Sequence, residues 1–293
     1  MSAGERLPGT PTPMHTWTGA GGITIAGDTW GDPNGPLVVL QHGGGQTRHA
    51  WKGAGETLGT AGYHAVAFDA RGHGDSDWAS PDQYGHDQMV GDLISVIEAL
   101  GGRQPVLVGA SMGGGVSLVA IGEKHLEASA LVLVDMAPRI EPDGTRRIRE
   151  FMSQKPKGFD SLEEVAEAIA NYLPHRPRPR KLDGLAKNVR LGADGKYHWH
   201  WDPARRFGRS NENETEYRAR LHESANHLDL PTLLVRGGLS DVLSEAGAQS
   251  FLEQCPHAEY VNVGNAAHMV AGDRNDIFAT SVIDFLQRVV PAS

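Results

Sequence analysis

The ten residues Gln104 to Gly113 leave few folds open to this chain. Pro105-Val106-Leu107-Val108 is a short apolar run, and Gly109-Ala110-Ser111-Met112-Gly113 follows it without a linker. A small-residue stretch of helical character then runs from Gly114 to Gly122. A strand that enters a helix through a G-x-S-x-G turn puts the serine on a sharp corner at the carboxyl edge of a sheet. Side chains in place of the glycines would collide with the neighbouring strand and helix, and only packing sustains so tight a backbone. A serine held this way is presented as a nucleophile. Its hydroxyl is a poor one near neutral pH, so the corner implies a base and a group that orients the base.

The other apolar runs supply the rest of the sheet. Thr16 to Trp30 reads as an opening hairpin, and Pro36 to Leu40, His64 to Phe68, 105–109 and Ala130 to Val134 read as buried strands. Helices are expected over Ala50–Thr60, a stretch ending at Leu100 before Gly101, and 113–122. After Asp135 the alternation breaks. From Ala137 to Leu228 the chain is polar and in places proline-rich, with one expected helix (Leu162 to Tyr172) and one expected hairpin (Val189 to Leu191 turning into Tyr197 to Trp201). Strands at Pro231–Val235 and Glu259–Val263, with helices over 244–254 and 276–290, restore the pattern. This order predicts an α/β fold with a mostly parallel, doubly wound sheet. Residues 1–136 and 229–293 would form the core, and 137–228 an inserted cap.

Two partners for Ser111 follow from chain order. Asp241 comes after strand 232–236, and His268 after the last strand, so both lie at the carboxyl edge where such sheets place their sites. Asp135 also ends a strand, the one next after the nucleophile, and is the alternative acid. His257 precedes its strand and belongs to the opposite edge, while the turn containing His73 is accounted for by Gly72 and Gly74. A developing oxyanion needs donors. The backbone N–H of Met112 is one, and His42-Gly43-Gly44-Gly45 after an earlier strand supplies the other through Gly44.

On these residues the chain resembles the α/β-hydrolase superfamily over nearly its whole length. The resemblance rests on His42 to Gly45, Asp69-Ala70-Arg71-Gly72-His73-Gly74-Asp75-Ser76, Gly109 to Gly115, Gly237-Gly238-Leu239-Ser240-Asp241 and Ala267-His268. It implies an eight-stranded sheet and no cofactor. The Gly109–Gly115 stretch is similar to cofactor-free haloperoxidases and aryl esterases, while 42–51 and the cap length look like epoxide-hydrolase-like proteins. Those hydrolases use an aspartate at the corner, and here the position is Ser111. Serine implies acyl transfer from an ester, lactone or thioester, C–C bond hydrolysis by the same residues, or perhydrolysis as a side reaction. A ligand-binding receptor with little turnover is the reading from another class.

Other features carry less. His222-Glu223-Ser224-Ala225-Asn226-His227 misses a zinc-binding H-E-x-x-H by one residue, which turns the two rings to different faces of a helix, so no metal is expected. In His198-Trp199-His200-Trp201, strand alternation sends the histidines one way and the tryptophans the other. Trp199 and Trp201, with His42 and Gly43, are candidate pocket residues. The basic tract 174–181 reads as a solvated loop. A net charge of −9 argues against nucleic acid, no apolar run is long enough to cross a membrane, and a single cysteine fits a reducing cytoplasm. The expected partner is a small ester or lactone, with a homodimer left open.

Overall fold

The computed structural model describes residues 4–174, 182–204, 214–273 and 275–292. Strands β1 (Glu5–Arg6) and β2 (His15–Thr18) precede β3 (Thr24–Trp30). Strands and helices then alternate through β4 (Leu37–Gln41), α1 (Lys52–Thr60), β5 (His64–Phe68), α2 (His86–Ala99), β6 (Val106–Ala110), α3 (Met112–Gly122) and β7 (Ala130–Val134). A long connection holds α4 (Pro142–Ser153), α5 (Leu162–Tyr172), β8 (Val189–Leu191), β9 (Tyr197–Trp199) and α6 (Glu214–Asn226). The alternation resumes with β10 (Thr232–Gly237), α7 (Glu245–Gln254), β11 (Glu259–Val263), α8 (Val270–Asp273) and α9 (Asn275–Val289).

One eight-stranded sheet runs β11-β10-β7-β6-β4-β5-β3-β2. Its six strands from β11 to β5 are parallel, and β3 and β2 extend the edge antiparallel. The sheet is covered on both faces because its central strands carry apolar side chains at successive positions. In β6, Leu107 packs with Leu93, Val116 and Val119 on one side, while Val106 and Val108 join Phe278, Val282 and Phe285 on the other. Successive side chains of a strand point to opposite faces, so a continuous apolar run needs helices on both. Each such side chain contributes about 1.5–3 kcal/mol by leaving water. Among the described residues no helix is long and apolar enough to cross a membrane.

Among its described residues the long connection holds more regular structure than its polarity suggests, with two α-helices beyond the expected one. In α4 the apolar residues are confined to one side, with Ile148, Phe151 and Met152 packed into a small core of Phe159, Val165, Val189, Trp199 and Trp201. Helix α6 sends Leu221 and Ala225 into the main core, against α3. A Cβ on Gly122 would lie 2.4 Å from the Ser224 carbonyl oxygen, so the two helices touch backbone to backbone. The expected hairpin is present as β8 and β9, with β1 added at its edge to make a second, antiparallel sheet. Most of the basic tract, residues 175–181, lies outside the described residues.

Candidate active site

Ser111 sits between β6 and α3 with φ 48° and ψ −110°, a conformation that a side-chain-bearing residue rarely adopts. Its N–H donates to the Val134 carbonyl at 3.1 Å, which fastens the corner to the neighbouring strand. The flanking glycines are needed for space. A Cβ on Gly109 would come within 2.5 Å of Gly113 backbone, and one on Gly113 within 2.5 Å of the Gln41 carbonyl oxygen. Backbone cannot swing aside as a flexible side chain can. The Met112 N–H opens α3, where the helix concentrates partial positive charge.

The expected base, His268, and the alternative acid, Asp135, follow strands β11 and β7 on the same side of β6. His268 follows β11, and its Nδ1 lies 2.6 Å from Asp135 Oδ2. Asp135 ends β7 with φ 49° and is fully buried. Its Oδ1 accepts the Gly237 N–H at 2.9 Å, and its Oδ2 also accepts the Ser240 hydroxyl at 2.5 Å. A carboxylate has no proton to give, so the proton on this edge of the ring belongs to Nδ1. In the neutral ring Nε2 is then the nitrogen that carries the lone pair.

Asp241, the acid expected from chain order, is not at this site. Its half-exposed carboxylate pairs with Arg147 of α4, Oδ2 to Nη1 at 2.5 Å. The reason lies in the turn after β10. Ser240 faces inward, donating to Asp135 and accepting the N–H groups of Val242 and Leu243. Asp241, next in the chain, faces outward. The alternative acid, Asp135, is the one the structure brings to the histidine.

The glycine loop after β4 completes the site. The Gly43 N–H donates to Gln46 Oε1 at 2.9 Å, the Gly45 N–H to His73 Nε2 at 3.1 Å, and the Gln46 N–H to the Gly43 carbonyl at 3.1 Å. The Gly44 N–H is left without an acceptor among the described residues. A Cβ on Gly43 would lie 3.3 Å from Ser111 Cβ, so this loop runs directly beside the serine.

Ser111, Asp135, His268, Gly43, Gly44 and Met112 all line one cavity of about 680 Å³. Its far wall comes from the long connection and is aromatic. Trp199 and Trp201 stack with centroids 4.7 Å apart, and Phe151 stacks on Tyr172 at 4.1 Å. At one side Glu214 bridges Arg149 and Arg218 at 3.0 and 2.7 Å. Of the expected pocket residues, Gly43, Trp199 and Trp201 line the cavity and His42 does not. His42 is buried behind the loop, with Nδ1 against the Gly43 carbonyl at 2.8 Å and Nε2 accepting the Ala70 N–H at 3.0 Å.

The alternation expected past Trp199 also fails, because β9 ends there. Both tryptophans stay in the wall, while His198 meets Asp194 at the surface and His200 is buried against Gly74 and Gly45. His73 and His200, which the sequence reading did not connect with the site, bond the glycine loop from behind. For His73 the signal was available, since a turn needs only its glycines and a histidine between them has some further use. For His200 nothing in the local sequence indicates which side of the chain it takes.

A serine corner that shares one cavity with a histidine paired to a buried aspartate, at the carboxyl edge of a mostly parallel eight-stranded sheet, defines an α/β hydrolase. The family model described as serine aminopeptidase, S33, matches residues 32–275, and the chain belongs to that family. It is 27% identical over 270 residues to the esterase Rv0045c of Mycobacterium tuberculosis, covering 90% of this chain and 86% of that protein. It is also 29% identical over 260 residues to the 3-hydroxybutyrate-oligomer hydrolase of Cupriavidus necator, covering 85% and 88%. Among solved structures, that of E-2-(acetamidomethylene)succinate hydrolase superposes with a TM-score of 0.80 at 22% identity, covering 93% of this chain and 99% of the other. That of Rv0045c gives 0.72 at 26%, covering 94% and 92%.

Proposed function

We propose that this protein hydrolyses a carboxylic ester through an acyl-enzyme on Ser111, with His268 as general base and then acid, and Asp135 as the carboxylate that orients it. Relatives named as an esterase and as an oligomer hydrolase support an ester-acting hydrolase. The observation that carries the residue assignment is the 2.6 Å contact of His268 Nδ1 with buried Asp135, on the cavity that Ser111 also lines. With Nδ1 protonated, Nε2 accepts the Ser111 proton as Oγ attacks the ester carbonyl carbon. The carbonyl oxygen becomes an oxyanion, received by the N–H groups of Gly44 and Met112. Collapse breaks the carbon–oxygen bond, and Nε2 returns the proton to the departing alcohol. Water, deprotonated by the same nitrogen, then attacks the acyl-enzyme and releases the acid with Ser111 restored.

The substrate class follows from the wall. About 680 Å³ lined by Phe151, Tyr172, Trp199 and Trp201 suits an ester with a bulky apolar or aromatic group, and a lactone ring of that character is an internal ester of the same kind. In this reading 137–228 acts as a cap whose wall selects the substrate. The test is turnover of a p-nitrophenyl ester series by wild type and Ser111→Ala, with fluorophosphonate labelling located by mass spectrometry. Turnover lost in the variant, with the label on Ser111, is the expected result. An unlabelled, dispensable Ser111 in a folded protein would refute the assignment.

A further inference from the structure

Three imidazoles meet behind the glycine loop, and one of them comes from the long connection. His42, His73 and His200 are each no more than 1% exposed. Ring centroids are 5.1 Å apart for His42 and His73 and 5.9 Å apart for His73 and His200. The backbone partners fix which nitrogen of each ring carries the proton. The Gly74 N–H donates to His200 Nδ1 at 2.9 Å, so that proton is on Nε2, which lies 3.3 Å from the Gly45 carbonyl oxygen and donates to it. The Gly45 N–H donates to His73 Nε2 at 3.1 Å, leaving Nδ1–H of His73 for the Arg71 carbonyl at 3.2 Å. The Ala70 N–H donates to His42 Nε2, leaving its Nδ1–H for the Gly43 carbonyl.

Gly44 is therefore clamped from both sides. His42 holds the carbonyl of the residue before it, while His73 and His200 hold the N–H and the carbonyl of the residue after it. A trans peptide is planar with its C=O and N–H opposed, so holding the Gly43 carbonyl sets the direction of the Gly44 N–H. Two of the supports belong to the sheet edge. The third, His200, is 155 residues from Gly45 in the chain. The same segment braces Gly45 from a second direction. Trp201 Nε1 donates to the Met152 carbonyl at 3.2 Å, and Met152 Cε lies 3.0 Å from where a Gly45 Cβ would be. Gly45 itself is at φ 74°.

We infer that His200 is a positioning residue for the oxyanion hole, so that the hole is complete only when the long connection is seated on the sheet. This rests on the acyl-transfer reading above. The interaction to separate is the Nε2–H bond to Gly45, as distinct from the packing of a buried ring. His200→Asn keeps an acceptor near the Nδ1 position for Gly74 and lacks a donor that reaches Gly45. His200→Gln places an amide N–H near the Nε2 position and gives up the Gly74 bond.

The measurement is kcat and KM for one p-nitrophenyl ester, with the affinity for a trifluoromethyl ketone, whose adduct on Ser111 presents an oxyanion. Melting temperature and the Ser111→Ala variant serve as controls. For His200→Asn we expect kcat to fall roughly 10- to 100-fold with KM little changed, since a misplacement of about 1 Å costs that order. Ketone affinity should fall in parallel, and His200→Gln should recover most of both. Wild-type values in both variants would overturn the inference. Equal losses in both variants that follow melting temperature, with ketone affinity intact, would reduce His200 to packing and overturn it too. Turnover surviving in Ser111→Ala would instead overturn the acyl-transfer reading, and the His200 inference with it.

Discussion

Replacing Asp135 with asparagine tests the core of the site with little change in shape. Oδ1 can still accept the Gly237 N–H, and the Ser240 hydroxyl can turn to accept from the new amide. What changes is the face toward His268. An amide N–H there meets Nδ1 as a donor, so the ring must accept on Nδ1 and carry its proton on Nε2, where it cannot take one from Ser111. The imidazolium formed during attack also loses its counter-charge. At about 4 Å between charge centres and an effective dielectric near 20, that attraction is about 4 kcal/mol. At 1.36 kcal/mol per decade this is roughly a 10³-fold loss in kcat, and the wrong tautomer adds to it. Steady-state hydrolysis of a p-nitrophenyl ester, with melting temperature as the control for folding, gives the number. Asp241→Asn, which alters only the half-exposed pair with Arg147, should stay within about twofold of wild type, the effect expected of a surface ion pair. If Asp241→Asn proves the crippled variant and Asp135→Asn the active one, the geometric argument for Asp135 is wrong.

Three further outcomes follow from the same structure. Phe151→Ala opens the aromatic wall, so kcat/KM for a bulky aryl ester should fall by about 1.5–3 kcal/mol of lost burial while that for the acetate barely moves; equal losses on both would mean that Phe151 does not touch the variable group. Arg48 is fully buried against Asp28, Asp69 and Asp75, so Arg48→Met takes the buried cation from Asp28 and Asp69, while Asp75 keeps Arg190, and should lower urea-measured stability by about 3–5 kcal/mol, with a near-neutral result refuting the dependence. Burial, then the positive charge of Arg190, then His42, hold His200 well below its usual value near 6.5. The unfolded chain therefore takes up a proton that the folded chain refuses, and stability drops as pH falls below about 6.5, by at most about 1.4 kcal/mol per pH unit from this ring. His49 and His64 shift in the same direction, so His200→Asn should shallow that slope without abolishing it; an unchanged slope in chemical denaturation at stepped pH would refute the buried neutral ring.

The sheet was legible because its signals are local. Each parallel strand from β4 to β10 is a five- or six-residue run, mostly apolar, that ends close to a glycine or an aspartate, and helix α2 has an apolar stripe while α3 is apolar nearly all round. The serine corner and His268 follow from the same punctuation. Choosing between Asp135 and Asp241 required something non-local. Strands β7 and β10 are parallel neighbours in register, with Val134 beside Val235, so both acids leave the sheet at one edge. Which one turns inward depends on the path of the loop from Gly237 to Asp241, and that path is fixed by contacts with β11 and with Ala266. Helices α4 and α6 were missed for a related reason. Their apolar residues are few, and α4 completes its small core with residues of α5, β8 and β9 and of the segments between them. A start signal was nonetheless present in Glu141-Pro142-Asp143, where proline fits the first helical turn and an acid favours its positive end.

The smaller sheet has a consequence for how the chain reaches this arrangement. Its edge strand, Glu5–Arg6, pairs with residues 190–191, and Gly4 lies so near the Leu191 carbonyl that a Cβ would sit 2.3 Å from it. On a ribosome the first strand is therefore made long before its partner exists, whereas β2 through β7 can pair with one another as they emerge. The N-terminal arm has to wait while the sheet assembles beside it, and then dock from outside. Closing so long a loop is slow compared with forming a hairpin. Docking of the arm is thus placed after the pairing of β2 through β7, and a bulky fusion joined just ahead of Gly4 would burden that step more than the ones before it.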